Sequence, residues 1–145
     1  MTDSKEQVYD SPTGWVNEHI QRYLASEGED GHDWRQAPTL LLTTTGRKSG
    51  KQRRTALIYG RHDDRYLVVA SHGGARKHPS WLLNLTANPA VEVQVGGDRF
   101  AAVARVASEP DRPALWQAMT AIWPAYDDYQ AKTDRQIPVV VLQPV

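Results

Sequence analysis

The 145-residue chain contains no cysteine, which removes disulfide staples, thiolate nucleophiles, iron–sulfur clusters and cysteine-ligated zinc at one stroke. Any redox chemistry must therefore use a borrowed cofactor. Long apolar runs are missing too. Runs such as Leu67–Ala70 and Val139–Leu142 are strand length, so no membrane span is predicted, and the acidic amino terminus lacks the basic-then-apolar plan of a signal peptide. The expected location is cytoplasmic. Nor does either charge dominate, with seventeen Lys+Arg against seventeen Asp+Glu. That balance conceals polarity. Nine basic side chains lie between Arg47 and Lys77 against two acids, Asp63 and Asp64, so this stretch stands at +7 and the remainder at −7. A focused positive region attracts a phosphorylated or carboxylated partner.

What is present describes one domain over residues 1–145, with 1–13 expected to be flexible. From Gly14 to Ala25, Val16, Ile20, Tyr23 and Leu24 share a helical face, and Gly28 and Gly31 end that helix. Thr39–Thr45 is a β-branched and apolar run that fits a buried strand, and Gly46–Gly50 is a turn. Thr55–Tyr59 and Tyr66–Ala70 read as strands joined through a loop, Gly60–Arg65, whose Asp63-Asp64 suits a hairpin connection. After Pro79 a short helix turns Trp81, Leu82 and Leu85 inward until Asn88-Pro89 stops it. Val91, Val93 and Val95 alternate with polar residues. Beyond the Gly96-Gly97-Asp98 turn, Phe100, Ala102, Ala104 and Val106 share one strand face. Pro113 opens a helix with Leu115, Trp116, Met119 and Ile122 inside, which Trp123-Pro124 kinks or ends. The chain closes on a strand, Val139–Leu142. About six strands, three short helical pieces and no βαβ rhythm predict an α+β fold on an antiparallel sheet, with closure into a small barrel removing the strand edges.

Gly46-Arg47-Lys48-Ser49-Gly50-Lys51 invites comparison with the phosphate loop of nucleotide triphosphatases, but only three residues separate its glycines and Gln52 follows the lysine. What remains is a tight turn bearing Arg47, Lys48 and Ser49, with Lys51, Arg53 and Arg54 close behind. It reads either as an anion site or as a solvated basic hairpin tip. Ser71-His72-Gly73-Gly74 offers pliant backbone beside a hydroxyl and an imidazole, useful against a flat ligand, although an ordinary strand-ending loop has the same composition. Without a Gly-x-Ser-x-Gly elbow there is no nucleophile for an acyl-transfer reading. His62, His72 and His78 lack the paired spacing of a zinc helix, so no metal is expected. Trp123, Tyr126 and Tyr129 recur at i, i+3 and i+6. Polar neighbours suggest a partly exposed aromatic rim for ligand contact, and core packing explains the same pattern. Basic and aromatic residues are not interleaved, which argues against nucleic acid.

Taken together, the pattern resembles the deazaflavin-dependent nitroreductase family of actinobacteria. The resemblance runs from Trp15 to Pro144 and rests on Leu41–Gly50, Ser71–Gly74, Pro79–Leu85, Ala87–Pro89, Tyr126–Tyr129 and Ile137–Val141. It implies a split β-barrel of the FMN-binding type and reduced coenzyme F420, an 8-hydroxy-5-deazaflavin, as hydride donor. Carried over residue by residue, Arg47, Lys48 and Arg53, with Arg54 as helper, hold the coenzyme's phosphate and acidic tail. Ser71, His72, Gly73 and Gly74 pack on its ring, and Trp81 and Asn84 wall the groove. Trp123, Tyr126 and Tyr129 line the substrate side, and Tyr126, Tyr129 or Ser71 supplies a hydroxyl to the developing oxyanion. The chain has His72 where members commonly have lysine, and Trp123 where the nitroimidazole-activating member has tyrosine. Reduction of a quinone such as menaquinone therefore carries over better than prodrug activation, which is not predicted. The alternatives are an FMN-dependent reductase on the same barrel, a non-catalytic F420 carrier, and a structural or interaction domain. Burial of Trp15, Val16 and Ile20 in a membrane surface is the peripheral contact this reading allows.

Overall fold

The apolar run predicted as a buried strand is the centre of the fold. The computed structural model describes residues 8–10, 14–26, 33–34, 37–75 and 77–145. In chain order these form β1 (Val8–Asp10), α1 (Gly14–Ala25), β2 (Asp33–Trp34), β3 (Ala37–Thr45), β4 (Gln52–Ile58), β5 (Gly60–His62), β6 (Arg65–Val69), α2 (Ser80–Ala87), β7 (Ala90–Val95), β8 (Asp98–Val106), α3 (Arg112–Ile122), α4 (Ala125–Ala131) and β9 (Val139–Pro144). Strand β3 pairs antiparallel with β4 on one side, Leu42 opposite Thr55, and with β7 on the other, Leu42 opposite Val93. Its two faces are both covered, Leu40 and Leu42 by the barrel interior and Leu41 by Ile20 and Tyr23 of α1. Covering on both sides is what makes a continuous apolar run a strand rather than an alternating one.

The strand order β1-β4-β3-β7-β8-β9-β6-β5, with β2 against the start of β3, curls into a split β-barrel. Leu42 of β3, Val93 of β7, Ala102 of β8, Val140 of β9 and Val68 of β6 meet in one interior cluster, closed at one side by Leu82 and Leu85 of α2. A second cluster forms outside the barrel, where α3 and α4 cover Leu67, Val69, Val139 and Val141 with Leu115, Met119 and Tyr126. Each fully buried Leu or Val contributes about 1.5–3 kcal/mol relative to exposure. Helix α1 is pinned by Tyr23, whose hydroxyl accepts the Gly96 N–H at 2.6 Å and donates toward the carbonyls of Thr39 and Gln94 at 3.2 and 3.3 Å.

Several expectations change. Nine strands are described rather than about six, because β1, β2 and β5 are too short to show a pattern, and β1 lies parallel to β4. The expected loop Gly60–Arg65 holds β5, and the hairpin turning at Asp63-Asp64 joins β5 to β6, not β4 to β6. Asp63 takes a positive φ of 56° there, a conformation Asp tolerates better than most residues. Val106 lies opposite Val140 on the face of Ala102 and Ala104 but, at the end of β8, is 45% exposed. Trp123-Pro124 ends α3 and starts a fourth helix, α4. Ile20 is fully buried and so is not available to a membrane surface, while Val16 is only partly buried against the same cluster. Among the described residues no helix is long and apolar enough to cross a membrane. The expected helix end at Gly28 and Gly31, and the flexibility of residues 1–7 and 11–13, lie outside the described residues.

Candidate active site

Strands β4 and β6 are not hydrogen-bonded to one another, and a cavity of about 800 Å³ opens along this split. One end is cationic. The β3–β4 turn brings Arg47, Lys48 and Ser49 to it, and β4 adds Arg53 and Arg54. The turn closes on itself through Gly46 N–H to the Lys51 carbonyl at 2.7 Å and Gly50 N–H to the Gly46 carbonyl at 2.8 Å. The Ser49 hydroxyl accepts the Lys51 N–H at 3.2 Å, so this side chain shapes the turn. The other walls are largely apolar, made by Leu57 of β4, Val69 of β6, Val16 of α1 and Trp81 of α2.

Asn84 has a part in this site that its sequence position does not reveal. It is only 4% exposed, and its Oδ1 accepts both the backbone N–H of Arg47, at 3.2 Å, and the guanidinium Nη1 of Arg47, at 2.9 Å. Its Nδ2 donates to the Thr44 hydroxyl at 3.4 Å. The amide therefore acts as a clamp that sets the turn and its first arginine, and the rest of that guanidinium can still meet an anion. Thr55, Leu57 and Val69 of the cavity wall were not singled out by sequence reasoning. The period-two face Arg53, Thr55, Leu57 is the signal that could have found the first two.

After β6, residues His72–Gly74 form a 3₁₀ turn, with Ser71 and His72 on the cavity wall. His72 has a positive φ of 46°, and its Nδ1 donates to the Lys77 carbonyl at 3.3 Å, which fixes the proton on that nitrogen. Gly73 is the middle residue of this turn. Gly74 is buried, with φ of 83°, and a Cβ there would meet the Tyr129 carbonyl oxygen at 2.7 Å. Gly74 thus serves the close approach of α4 to the loop.

The aromatic trio is placed differently from the expected rim. Tyr126 is 5% exposed, with its ring edge-on to Tyr129 at 6.1 Å and near Trp116 at 6.3 Å, because α4 presses it into the cluster beneath α3. Burial, and then the neighbouring Tyr129, push its phenol well above the ordinary range, so it stays protonated at neutral pH. Tyr129 and Trp123 are half-buried beside the same cluster. These three side chains do not line the cavity. Val69 connects the two regions, since it packs in the Tyr126 cluster and also forms cavity wall.

Residues 15–144 match the family model for F420H(2)-dependent quinone reductase. The chain is similar to the F420H(2)-dependent quinone reductase Rv1261c of Mycobacterium tuberculosis, 44% identical over 128 residues that cover 86% of each chain. Among solved structures it is similar to the F420-H2 dependent reductase FDR-A, at 43% identity and a TM-score of 0.68, covering 73% of this chain and 94% of that one. It is also similar to a structure described as a domain-swapped dimer, at 41% identity and a TM-score of 0.71, covering 92% of this chain and 100% of the other.

Proposed function

The chain belongs to the F420H(2)-dependent quinone reductase family, and from that premise we propose that its split cavity binds reduced coenzyme F420 and presents it to a quinone. The observation that carries this reading is the division of the cavity into a cationic end and an apolar end. Arg47, Lys48, Arg53 and Arg54 suit a ligand with several anionic groups, whereas the single phosphate of FMN needs fewer partners. Leu57, Val69 and Trp81 suit a flat ring, and about 800 Å³ falls within the usual range for a cofactor site.

When bound, the reduced deazaflavin supplies a hydride to the quinone, which becomes a hydroquinone monoanion and then takes up one proton. The chain's own contribution is placement, charge and exclusion of water. The basic turn holds the anionic tail, with Asn84 keeping Arg47 in position. Ser71 and His72 bound the ring, with the wall behind them backed by α4 through Gly74. Of the expected hydroxyls, that of Ser71 can serve the oxygen that gains charge. It lies on the cavity wall, whereas Tyr126 and Tyr129, expected there, sit behind Val69 and do not line the cavity. Ser71→Ala then lowers turnover about tenfold with little change in coenzyme affinity. Equal losses in both quantities speak against a substrate-side role.

The test of the whole reading is a titration with oxidised coenzyme F420, followed by its own fluorescence, with FMN as competitor. A naphthoquinone is then added to the reduced complex. Saturable binding that FMN does not reverse, followed by reoxidation on adding the quinone, is the expected result. Displacement by FMN points to a flavin enzyme, and binding without reoxidation points to a carrier.

A further inference from the structure

The cavity wall that follows β6 is held from outside the cavity by one side chain. Arg135, between α4 and β9, donates from Nε to the Ala75 carbonyl at 2.8 Å, from Nη1 to the Ala70 carbonyl at 3.2 Å and from Nη2 to the Ser71 carbonyl at 2.7 Å. Nη1 also lies 3.0 Å from His78 Nδ1. A guanidinium can only donate, so that imidazole nitrogen must be an unprotonated acceptor. One planar fork thereby touches both ends and the middle of the segment Ala70–His78.

Arg135 is itself held in place. The Gln130 Nε2 of α4 donates to the Arg135 carbonyl at 2.8 Å, while Gln130 Oε1 accepts the Ile137 N–H at 2.9 Å and Arg112 Nη2 at 3.2 Å. Arg112 of α3 also donates to the Ile137 carbonyl from Nη2 at 2.8 Å. Among the described residues of the segment Ala70–His78 the internal bonds are Gly74 N–H to the Ser71 carbonyl at 2.9 Å, Ala75 N–H to the His72 carbonyl at 3.1 Å and the His72 contact with Lys77. His72 also sits at positive φ, which a residue other than glycine seldom keeps in a free segment.

We infer that Arg135 is a positioning residue: without lining the cavity, it holds the Ser71–His72 wall in the shape that receives the coenzyme ring. This rests on the reading of the cavity as the coenzyme site. If the wall keeps that shape only a tenth of the time without the guanidinium, the apparent dissociation constant rises about tenfold. Lysine keeps the charge but lacks the planar fork, so it cannot satisfy three carbonyls together.

The test compares Arg135→Lys and Arg135→Met with the wild type in two measurements, coenzyme F420 binding by fluorescence and amide hydrogen exchange without ligand. Both variants should bind the coenzyme about tenfold more weakly, with the KM for quinone unchanged. Exchange should rise at amides 71–78 while β3 and β9 keep their protection. Wild-type coenzyme affinity in a folded Arg135→Met variant overturns the inference. So does exchange that rises evenly along the chain, which marks a general structural role. If the wild type itself fails to bind the coenzyme, the functional reading falls. The exchange pattern alone then decides whether Arg135 positions this wall.

Discussion

Replacing Asn84 with leucine removes a buried amide from beneath the basic turn while keeping its branched outline. The Arg47 backbone N–H and Nη1 lose their shared acceptor, at 3.2 and 2.9 Å, and Thr44 loses a weak donor at 3.4 Å. An N–H left without a partner costs about 1–3 kcal/mol. The turn is exposed and water can reach its guanidinium, so the low end applies to each bond and the total is about 2 kcal/mol. At this chain length that corresponds to a fall in thermal midpoint of about 4–8 °C. In the proposed coenzyme site the larger effect is on binding, because Arg47 must now be ordered by the ligand's anion, and coenzyme affinity should fall about tenfold. Asn84→Asp separates the two effects. Its carboxylate accepts both Arg47 bonds and the Thr44 hydroxyl can donate to it, so stability is kept, yet the added negative charge still weakens binding of an anionic tail. Fluorescence titration with the coenzyme, paired with thermal unfolding, reads both quantities. An Asn84→Leu variant that loses stability but binds within a factor of two of wild type would refute the clamp.

Two further outcomes follow from backbone and charge. Gly74→Ala should destabilise the protein by clearly more than Gly50→Ala in denaturant unfolding. Both have positive φ, worth about 1–2 kcal/mol for an added Cβ, but only at Gly74 does that Cβ meet a backbone carbonyl, 2.7 Å away, whereas at Gly50 nothing lies within 4 Å. Equal losses would show that the approach of α4 to the loop is not tight. His78 is held below its ordinary value of 6.5, first by burial and then by Arg135, so the folded state binds its proton less readily than the unfolded chain does. Its contribution to stability is present above pH 6.5 and is lost as pH falls through the lowered folded value. Thermal midpoints at pH 7.5 and 5.5 should therefore differ more in wild type than in His78→Gln, and an identical difference rules this contribution out.

Periodicity along the chain makes most of the framework legible. The spacing of Val16, Ile20, Tyr23 and Leu24 marks α1, the alternation of Val91 and Val93 marks β7, and the unbroken run from Thr39 marks the strand buried on both faces. The same signal fails where elements are short. Three residues of β5 carry too little pattern to reveal that they, and not β4, pair with β6. It also fails for Tyr126, because spacing tells which residues share a helix face but not how much of that face a neighbouring element will cover.

Residue order and composition settle which side-chain types are brought together: the dense cations of the β3–β4 turn, the pliant Ser71–Gly74 loop, and a chain without sulfur chemistry that must borrow its redox group. How these parts are held depends on the folded arrangement. The Asn84 acceptor reaches a residue 37 positions away, and Arg135 reaches carbonyls 60 to 65 positions away. Local propensity carries no record of such partners. Side-chain hydrogen bonds across the fold exist only once the curled sheet has set those distances, and they turn a basic turn and a flexible loop into a shaped cavity.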